Sequence, residues 1–220
     1  MRLNVAGAGL TLTMSLLAGC PIFAEASAAP RNVPQASEPA RAVNRAPKPT
    51  PPFVPADFRV PVLVETANFK IVPLGPDLAK VDFDAYMSSI EHLQKTFSRS
   101  ARWPREGISA ADAMQDMERE QARFRSRKSF AYSVLTPDGR RERGSVYVRP
   151  SNVAGYDAVV TMWVTKAEYD AGFDAQLYAW VVDWVRKDWP FAKVAYPGRA
   201  IEWGTWDAIV ASNKAGKAAL

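Results

Sequence analysis

The fold is decided by residues 130–164, which read FAYSVLTPDGRRERGSVYVRPSNVAGYDAVVTMWV. The runs 130–135 and 145–149 are rich in β-branched and aromatic residues, and Thr136-Pro137-Asp138-Gly139 between them carries turn-forming residues. This pattern predicts a β-hairpin. A third run over 158–164 is almost wholly apolar, which is typical of a central strand covered on both faces.

Upstream of this segment, the pattern predicts a short strand over 69–74 and two amphipathic helices. Asp82 or Asp84 can cap the first helix, and Ser109 followed by Asp112 is typical of a capping box at the start of the second. The apolar residues of the first helix recur at helical spacing and predict one buried stripe: Phe83, Tyr86, Met87, Ile90, Leu93 and Phe97.

Downstream, Asp174 is expected to cap a helix that buries Leu177, Val181 and Trp184 on one face. A strand over 193–196 and a short final helix follow. The predicted order is β-α-α-β-β-β-α-β-α, which indicates an α+β fold with a mixed, mostly antiparallel sheet flanked by helices.

Composition excludes several classes of function. The chain has 220 residues, 48% of them hydrophobic and 23% charged, and its net charge of +5 is too small and too dispersed to indicate nucleic-acid binding. One histidine and one cysteine argue against a conventional zinc site, so no metal is expected. No P-loop, dinucleotide fingerprint or Ser-His-Asp arrangement is present.

The first 20 residues predict export. A charged start at Arg2 and an uncharged apolar run are typical of a secretory signal. The run ends in Leu17-Ala18-Gly19-Cys20, which resembles a bacterial lipobox and predicts lipidation of Cys20, a membrane anchor and a periplasmic or cell-envelope location. Ordinary cleavage after Ala26 or Ala28 is the alternative.

Residues 21–57 are expected to form a disordered, Pro/Ala-rich linker, because they contain nine of the 17 prolines and few large apolar residues. The nine prolines are at positions 21, 30, 34, 39, 47, 49, 51, 52 and 55. The folded domain is predicted over 58–212, with a flexible tail over 213–220.

From about Phe69 to Trp206, the element order resembles the GNAT (Gcn5-related N-acetyltransferase) superfamily. The phrases that carry the resemblance are residues 130–139, Gly144-Ser-Val-Tyr-Val-Arg-Pro150, Trp189-Pro-Phe191 and Val194-Ala-Tyr-Pro-Gly-Arg199, which are similar to a bacterial GNAT-like subgroup. The resemblance implies the GNAT fold and, in an active member, acetyl-CoA as the cofactor.

The family's pyrophosphate motif is Arg/Gln-x-x-Gly-x-Gly/Ala, and its glycines let backbone N–H groups approach the phosphates. With Val164 set at the end of the family's strand, the motif falls on Tyr169, Gly172 and Asp174. Only Gly172 matches. Because Asp174 brings a carboxylate to a position where an anion would bind, the motif is degenerate and no cofactor is expected.

Three residues are candidates for acid–base chemistry. Glu91 flanks the buried stripe of the first helix and can face a cleft, whereas His92 lies opposite that stripe and is expected on the solvated surface. Tyr196 could donate a proton to a leaving thiolate, as tyrosines do in the family.

Two hypotheses follow. In the first, the chain is an exported GNAT-like protein without cofactor that binds a protein, cell-wall or small-molecule ligand. In the alternative, it is an N-acetyltransferase that transfers an acetyl group from acetyl-CoA to an amine.

Overall fold

A computed structural model describes residues 52–218. The predicted signal segment, Cys20 and the predicted linker up to residue 51 lie outside these described residues. The strands form one six-stranded sheet in the order β1-β2-β3-β4-β5-β6. They are β1 (Val64–Glu65), β2 (Lys70–Pro73), β3 (Phe130–Leu135), β4 (Glu142–Pro150), β5 (Ala158–Val164) and β6 (Val194–Ala195).

Within residues 52–218, six α-helices flank the sheet. They are α1 (Ala79–Met87), α2 (Ile90–Leu93), α3 (Ala110–Arg125), α4 (Lys166–Asp170), α5 (Phe173–Asp188) and α6 (Trp203–Ala218). A 3₁₀ turn, Pro76–Leu78, precedes α1, and a π-helical turn, Gln94–Ser98, continues α2. The α+β class with a mostly antiparallel sheet is thus confirmed, since β6 alone pairs in parallel in the described part of the chain.

The predicted hairpin is formed by β3 and β4, in which Phe130 lies opposite Val148. Gly144 of β4 lies opposite Val164 of β5. A Cβ atom at Gly144 would lie 2.0 Å from the carbonyl oxygen of Trp163, so this close approach of the two strands requires glycine.

The strand β5 is covered on both faces as expected, but its predicted central position is wrong. It is the fifth of six strands, and β3 and β4 occupy the middle of the sheet. Val160 and Met162 pack with α5, whereas Trp163 packs with the cluster of α1, α2 and α3 on the other face. The apolar run therefore reports burial between two layers and not the strand order.

The helices before β3 differ from the prediction in two ways. Leu78 occupies the N-cap of α1, so Asp82 and Asp84 lie inside the helix and cap nothing. The single long helix is also interrupted after Met87, where Ser88 and Ser89 separate α1 from α2. The capping box of α3 is confirmed, because Ser109 Oγ accepts from the Asp112 N–H while the Asp112 carboxylate accepts from the Ser109 N–H.

The predicted face of α5 is confirmed. Leu177 and Val181 are fully buried and Trp184 is 4% exposed, all in the cluster that joins α5 to the sheet. Helix α4 was not predicted. No helix within residues 52–218 combines the length and apolar character that a membrane crossing requires.

Both predicted edges of the domain need correction. Val54 is buried in the core, and the Phe53 ring stacks on Phe130 and Phe191, so folded structure begins before residue 58. At the other edge, α6 continues to Ala218 in place of a tail from residue 213. Asn213 anchors that helix, because its side chain binds the backbone of residues 152 and 154.

Candidate functional site

A gap opens between β5 and β6 because the two strands pair over only two residue pairs. The pairs are Ala158 with Val194 and Val159 with Ala195, after which β5 continues to Val164. The gap leads to a cavity of about 250 Å³, called here the splay cavity. Residues that line it include His92, Val164, Tyr169, Asp174, Arg199 and Trp203.

An ion pair crosses the splay cavity. Arg199 Nη1 lies 2.5 Å from Asp174 Oδ2, and Arg199 Nη2 lies 2.6 Å from Asp174 Oδ1. Asp174 is only 8% exposed, and the bidentate geometry is the strong form of this interaction. Arg199, which follows β6, therefore neutralises the negative charge of Asp174 in the motif segment.

The expected helix cap at Asp174 is wrong. Gly172 occupies the N-cap of α5 with a φ of 78°, and no side chain accepts a hydrogen bond there. Asp174 lies in the first helical turn, where a carboxylate suits the positive end of the helix dipole. Its carboxylate binds Arg199 and not the backbone amides.

The connection from β5 to α5 is folded on itself as helix α4. The backbone N–H groups of Tyr169, Ala171 and Gly172 donate to carbonyls within the connection at 2.9–3.1 Å. Two more donate to side chains, since Lys166 N–H binds Ser89 Oγ at 2.8 Å and Glu168 N–H binds Thr165 Oγ1 at 3.3 Å. These amides are thus used inside the protein.

Two arginines before and within β4 hold α4 in place. Arg143 binds Glu168 through Nε at 2.9 Å and Nη2 at 2.5 Å, and Arg141 Nη1 lies 2.7 Å from the other carboxylate oxygen. Burial alone would raise the pKa of Glu168, but these hydrogen bonds and charges outweigh burial and lower it. The short helix is therefore anchored to the sheet.

Trp203 at the start of α6 closes one wall of the splay cavity. A Cβ atom at Gly198 would lie 2.4 Å from Trp203 Nε1, and Gly198 also has a φ of +75°. Arg99 stacks over the Trp203 ring at 4.3 Å and pairs with Asp207 on α6. The turn after β6 can pass beneath the ring only because residue 198 is glycine.

Similarity to known proteins is found at the level of structure and not at the level of sequence. No protein-family model and no curated protein sequence matches the chain. Among solved structures it is similar to a ribosomal-protein-S5-alanine acetyltransferase from Vibrio fischeri, with 12% identity and a TM-score of 0.49 over 70% of this chain and 82% of that one.

Two further similar structures are acetyltransferases with bound ligands. One is a ribosomal L7/L12 alpha-N-protein acetyltransferase in complex with coenzyme A, with 14% identity, a TM-score of 0.44 and coverage of 70% and 81%. The other is the microcin C7 self-immunity acetyltransferase in complex with acetyl-CoA and AMP, with 13% identity, a TM-score of 0.42 and coverage of 57% and 67%.

Three of the four motif positions meet at the splay cavity. Val164 is buried at the end of β5, Tyr169 is 48% exposed on α4, and Asp174 lies in the first turn of α5. Gly172 is exposed between the two helices. The motif segment therefore reaches the expected end of β5, but as a helix in place of an open loop.

The expectation that His92 is a solvated surface residue is wrong. Its half-buried ring packs against Tyr169 at 4.9 Å and lines both the splay cavity and a neighbouring cavity of about 680 Å³. Burial lowers the pKa of His92, against the opposing effect of the Asp174 charge. The break between α1 and α2, which the helical periodicity did not indicate, turns this ring toward β5.

The other two candidates lie apart. Glu91 is exposed and lines the 680 Å³ cavity. Tyr196 packs edge-on against Tyr178 of α5 at 5.9 Å, and burial raises its pKa to about 12. Neither residue lines the splay cavity.

Arg199 and Glu168 were missed by sequence reasoning. Arg199 ends one of the family-like phrases, but its partner Asp174 is 25 residues away in the chain. Glu168 likewise meets Arg143 across 25 residues. The one local signal for these ion pairs was the density of arginines around Glu142. It predicts that the arginines have carboxylate partners, but it does not indicate which carboxylates these are.

Proposed function

We propose that this chain is an exported, lipid-anchored binding protein whose GNAT-like domain has no acetyl-transfer activity. The observation that carries the proposal is the internal hydrogen bonding of the connection between β5 and α5. A partner at the envelope and a small ligand are both compatible with this role, and acetyl-CoA is not expected among its ligands.

A pyrophosphate site at a helix N-terminus needs backbone N–H groups that point at the ligand and are free to donate. Five such groups between Lys166 and Gly172 already have protein acceptors. Each lost hydrogen bond costs about 0.5–1.5 kcal/mol net, so releasing several of them would cost several kcal/mol. Unfolding α4 would also cost its ion pairs with Arg141 and Arg143.

The ion pair of Asp174 and Arg199 adds a second obstacle of a different kind. The sequence suggested direct repulsion between Asp174 and a pyrophosphate, but Arg199 neutralises that carboxylate. A phosphate that recruited Arg199 would leave Asp174 buried without a partner, and such a charge is costly. The pair thus disfavours anion binding because it is already complete.

Calorimetric titration of the full chain with acetyl-CoA tests this proposal. We expect a Kd above about 1 mM, which is a binding free energy less favourable than about −4 kcal/mol. Asp174→Asn removes the charge but leaves the α4 hydrogen bonds, so it should bind no better than Asp170→Asn, an exposed control that loses its pair with Lys166. Micromolar binding by the unmodified chain would overturn the proposal. If only Asp174→Asn gained binding, the obstacle to acetyl-CoA would be the Asp174 charge and not the occupied amides of the connection.

Export and anchoring rest on the sequence of the first 20 residues. Mass spectrometry of the mature N-terminus should find an acylated Cys20, and Cys20→Ser should release the protein from the membrane fraction. An unmodified N-terminus at Ser27 or Ala29 would contradict the anchor and leave export in place.

One observation favours the alternative, an N-acetyltransferase. Burial lowers the pKa of His92 and so favours the neutral imidazole, which beside β5 could accept the proton of an amine that attacks an acetyl thioester. Acetyl transfer from acetyl-CoA to a peptide amine, lost in His92→Gln and retained in the exposed-helix variant Lys80→Gln, would establish this function in place of the first.

A further inference from the structure

Another cavity, of about 380 Å³, lies between α1, α3 and β4 and shares no lining residue with the splay cavity. Four aromatic rings line it, and we call it the aromatic cavity. Tyr86 lies 5.3 Å from Trp103, and Phe97 lies 6.0 Å from Trp103 and 5.7 Å from Tyr147. The face of an aromatic ring attracts a positive charge.

Asp82 of α1 also lines the aromatic cavity and is 4% exposed. Within residues 52–218, no lysine, arginine or histidine forms an ion pair with it, in contrast to Asp174. Its neighbours are acidic: Glu142 is 1% exposed on β4, and Asp116 and Glu120 approach from α3. The carboxyl group of Asp82 is therefore buried among like groups.

Two polar atoms at the same cavity lack partners. The hydroxyl group of Tyr86, a residue 3% exposed, has no hydrogen-bond partner among the described residues. The same holds for Glu120 Oε2. Orphaned buried polar atoms are rare in native proteins and point to a missing partner.

Two of the three arginines at this cavity pair with carboxylates. Arg119 pairs with Asp116, and Arg123 pairs with Glu120 at 2.6 Å. Arg149 lies over the Tyr147 ring at 4.5 Å. Once these contacts are assigned, Asp82 is the acidic group at the cavity that still lacks a counter-charge.

We propose that the aromatic cavity binds a small organic cation, with its ammonium group against Asp82 and its carbon substituents against the aromatic rings. No group of three or more potential metal ligands comes together in the described part of the chain, so an organic cation suits the site better than a metal ion. The proposal goes beyond the function above and does not depend on whether acetyl-CoA binds.

The carboxyl groups of Asp82 and Glu142 make the predicted cation affinity of this site depend on pH. Burial, followed by the charges of Asp116 and Glu120, raises the pKa of Asp82 to about 7, against a hydrogen bond from Glu142 that lowers it. Burial and the Asp82 charge raise the pKa of Glu142 well above its usual range. Cation binding requires ionised Asp82, so affinity should increase from pH 6 to pH 8, with release of a proton at the lower pH.

Titration of the full chain with choline tests the proposal, and 3,3-dimethylbutan-1-ol serves as the uncharged probe of the same shape. Choline should change the fluorescence of Trp103 and bind at least tenfold more tightly than the alcohol. Asp82→Asn should weaken choline binding at least tenfold, whereas Asp84→Asn, an exposed residue of the same helix paired with Lys80, should leave it unchanged.

A second variant guards against indirect effects. Trp103→Leu keeps an apolar wall but removes the aromatic face, so it should weaken choline binding and leave binding of the alcohol nearly unchanged. Equal affinities for choline and the alcohol, or equal effects of Asp82→Asn and Asp84→Asn, would overturn the proposal. Neither outcome bears on the acetyl-CoA titration.

Discussion

Asp174 and Asp82 are both buried aspartates, yet the two regions around them treat the carboxylate in opposite ways. In the splay cavity Asp174 receives two hydrogen bonds from Arg199. In the aromatic cavity Asp82 faces Glu142, Asp116 and Glu120, and its pKa is raised to about 7. In the splay cavity the protein itself supplies the counter-charge of Asp174, whereas in the aromatic cavity Asp82 has no counter-charge among the described residues.

The comparison shows that burial of a carboxylate does not by itself identify a ligand-binding site, because the partners of the carboxylate decide whether a charge is left unmatched. A buried charge is tolerated when it is paired, or when it can share a proton with a neighbour. Asp174 meets the first condition and closes a cleft, while Asp82 meets the second and leaves a cavity in which a ligand can supply the missing charge.

The largest expected effect comes from a buried carboxylate that has neither a counter-charge nor a neighbour with which it can share a proton. Val181 is fully buried in the apolar cluster between α5 and the sheet. Val181→Asp should therefore destabilise the domain by more than about 4 kcal/mol, enough to abolish cooperative thermal unfolding. Ala179→Asp, at an exposed position of the same helix, is the matched control; similar melting temperatures for the two variants would show that the face assignment of α5 is wrong.

An intermediate effect is expected when Asp174 loses its partner. The side chains of Arg199 and Asp174 are 25% and 11% exposed, so Arg199→Gln should cost about 2–4 kcal/mol, somewhat less than the loss of a partner in a fully buried pair. Denaturant unfolding measures the loss. Arg186→Gln removes an exposed pair with Asp183 on the same helix and should cost less than about 1 kcal/mol. Equal costs would mean that Asp174 does not need its counter-charge.

The smallest effect, and the one with a pH signature, is expected at Asp82. Because the folded state raises its pKa to about 7, the stability that this group contributes is fully present below about pH 4 and is lost as pH rises through 7. Asp82→Asn should therefore be more stable than the unmodified chain at pH 8 and lose that advantage at pH 5.

The gain at pH 8 should be about 1–3 kcal/mol. Removing the charge is worth about 1.4 kcal/mol per pKa unit, but Glu142 then loses a charged acceptor worth about 1.5–3 kcal/mol. The opposite pH effect of His92, whose pKa is lowered by burial, is common to both chains and cancels in their difference. Asp84→Asn is the control, and a variant curve parallel to that of the unmodified chain from pH 5 to pH 8 would contradict the pairing of Asp82 with Glu142.

Local signals in the sequence predicted the parts of the fold that neighbouring residues determine. The turn over Thr136–Gly139, the capping box of Ser109 and Asp112, and the apolar face of α5 all depend on residues within a few positions of one another. The position of β5 in the sheet was not predicted, because an apolar run reports coverage by other layers and contains no information on strand order.

The candidate sites could be predicted only in part, because their interactions join distant residues. The motif alignment located Val164, Tyr169 and Asp174 at one cavity, but it gave no reason to pair Asp174 with Arg199. Asp82 and Glu142 are 60 positions apart, and the sequence marked Asp82 only as one of two aspartates that could cap the first helix. His92 was misassigned because the helix that carries it begins anew at Ile90, which shifts the phase of the apolar stripe.

The order of strands in the sheet has a consequence for folding kinetics. The strands β4 and β5 each pair with the preceding strand across a short connection, so the antiparallel unit of β3, β4 and β5 can form from local contacts, and local contacts form quickly. The parallel pairing of β6 must wait for the crossover through α4 and α5. We therefore expect contacts at the splay cavity, including the bond from Arg199 to Asp174, to form late in folding, and contacts that form late chiefly slow unfolding.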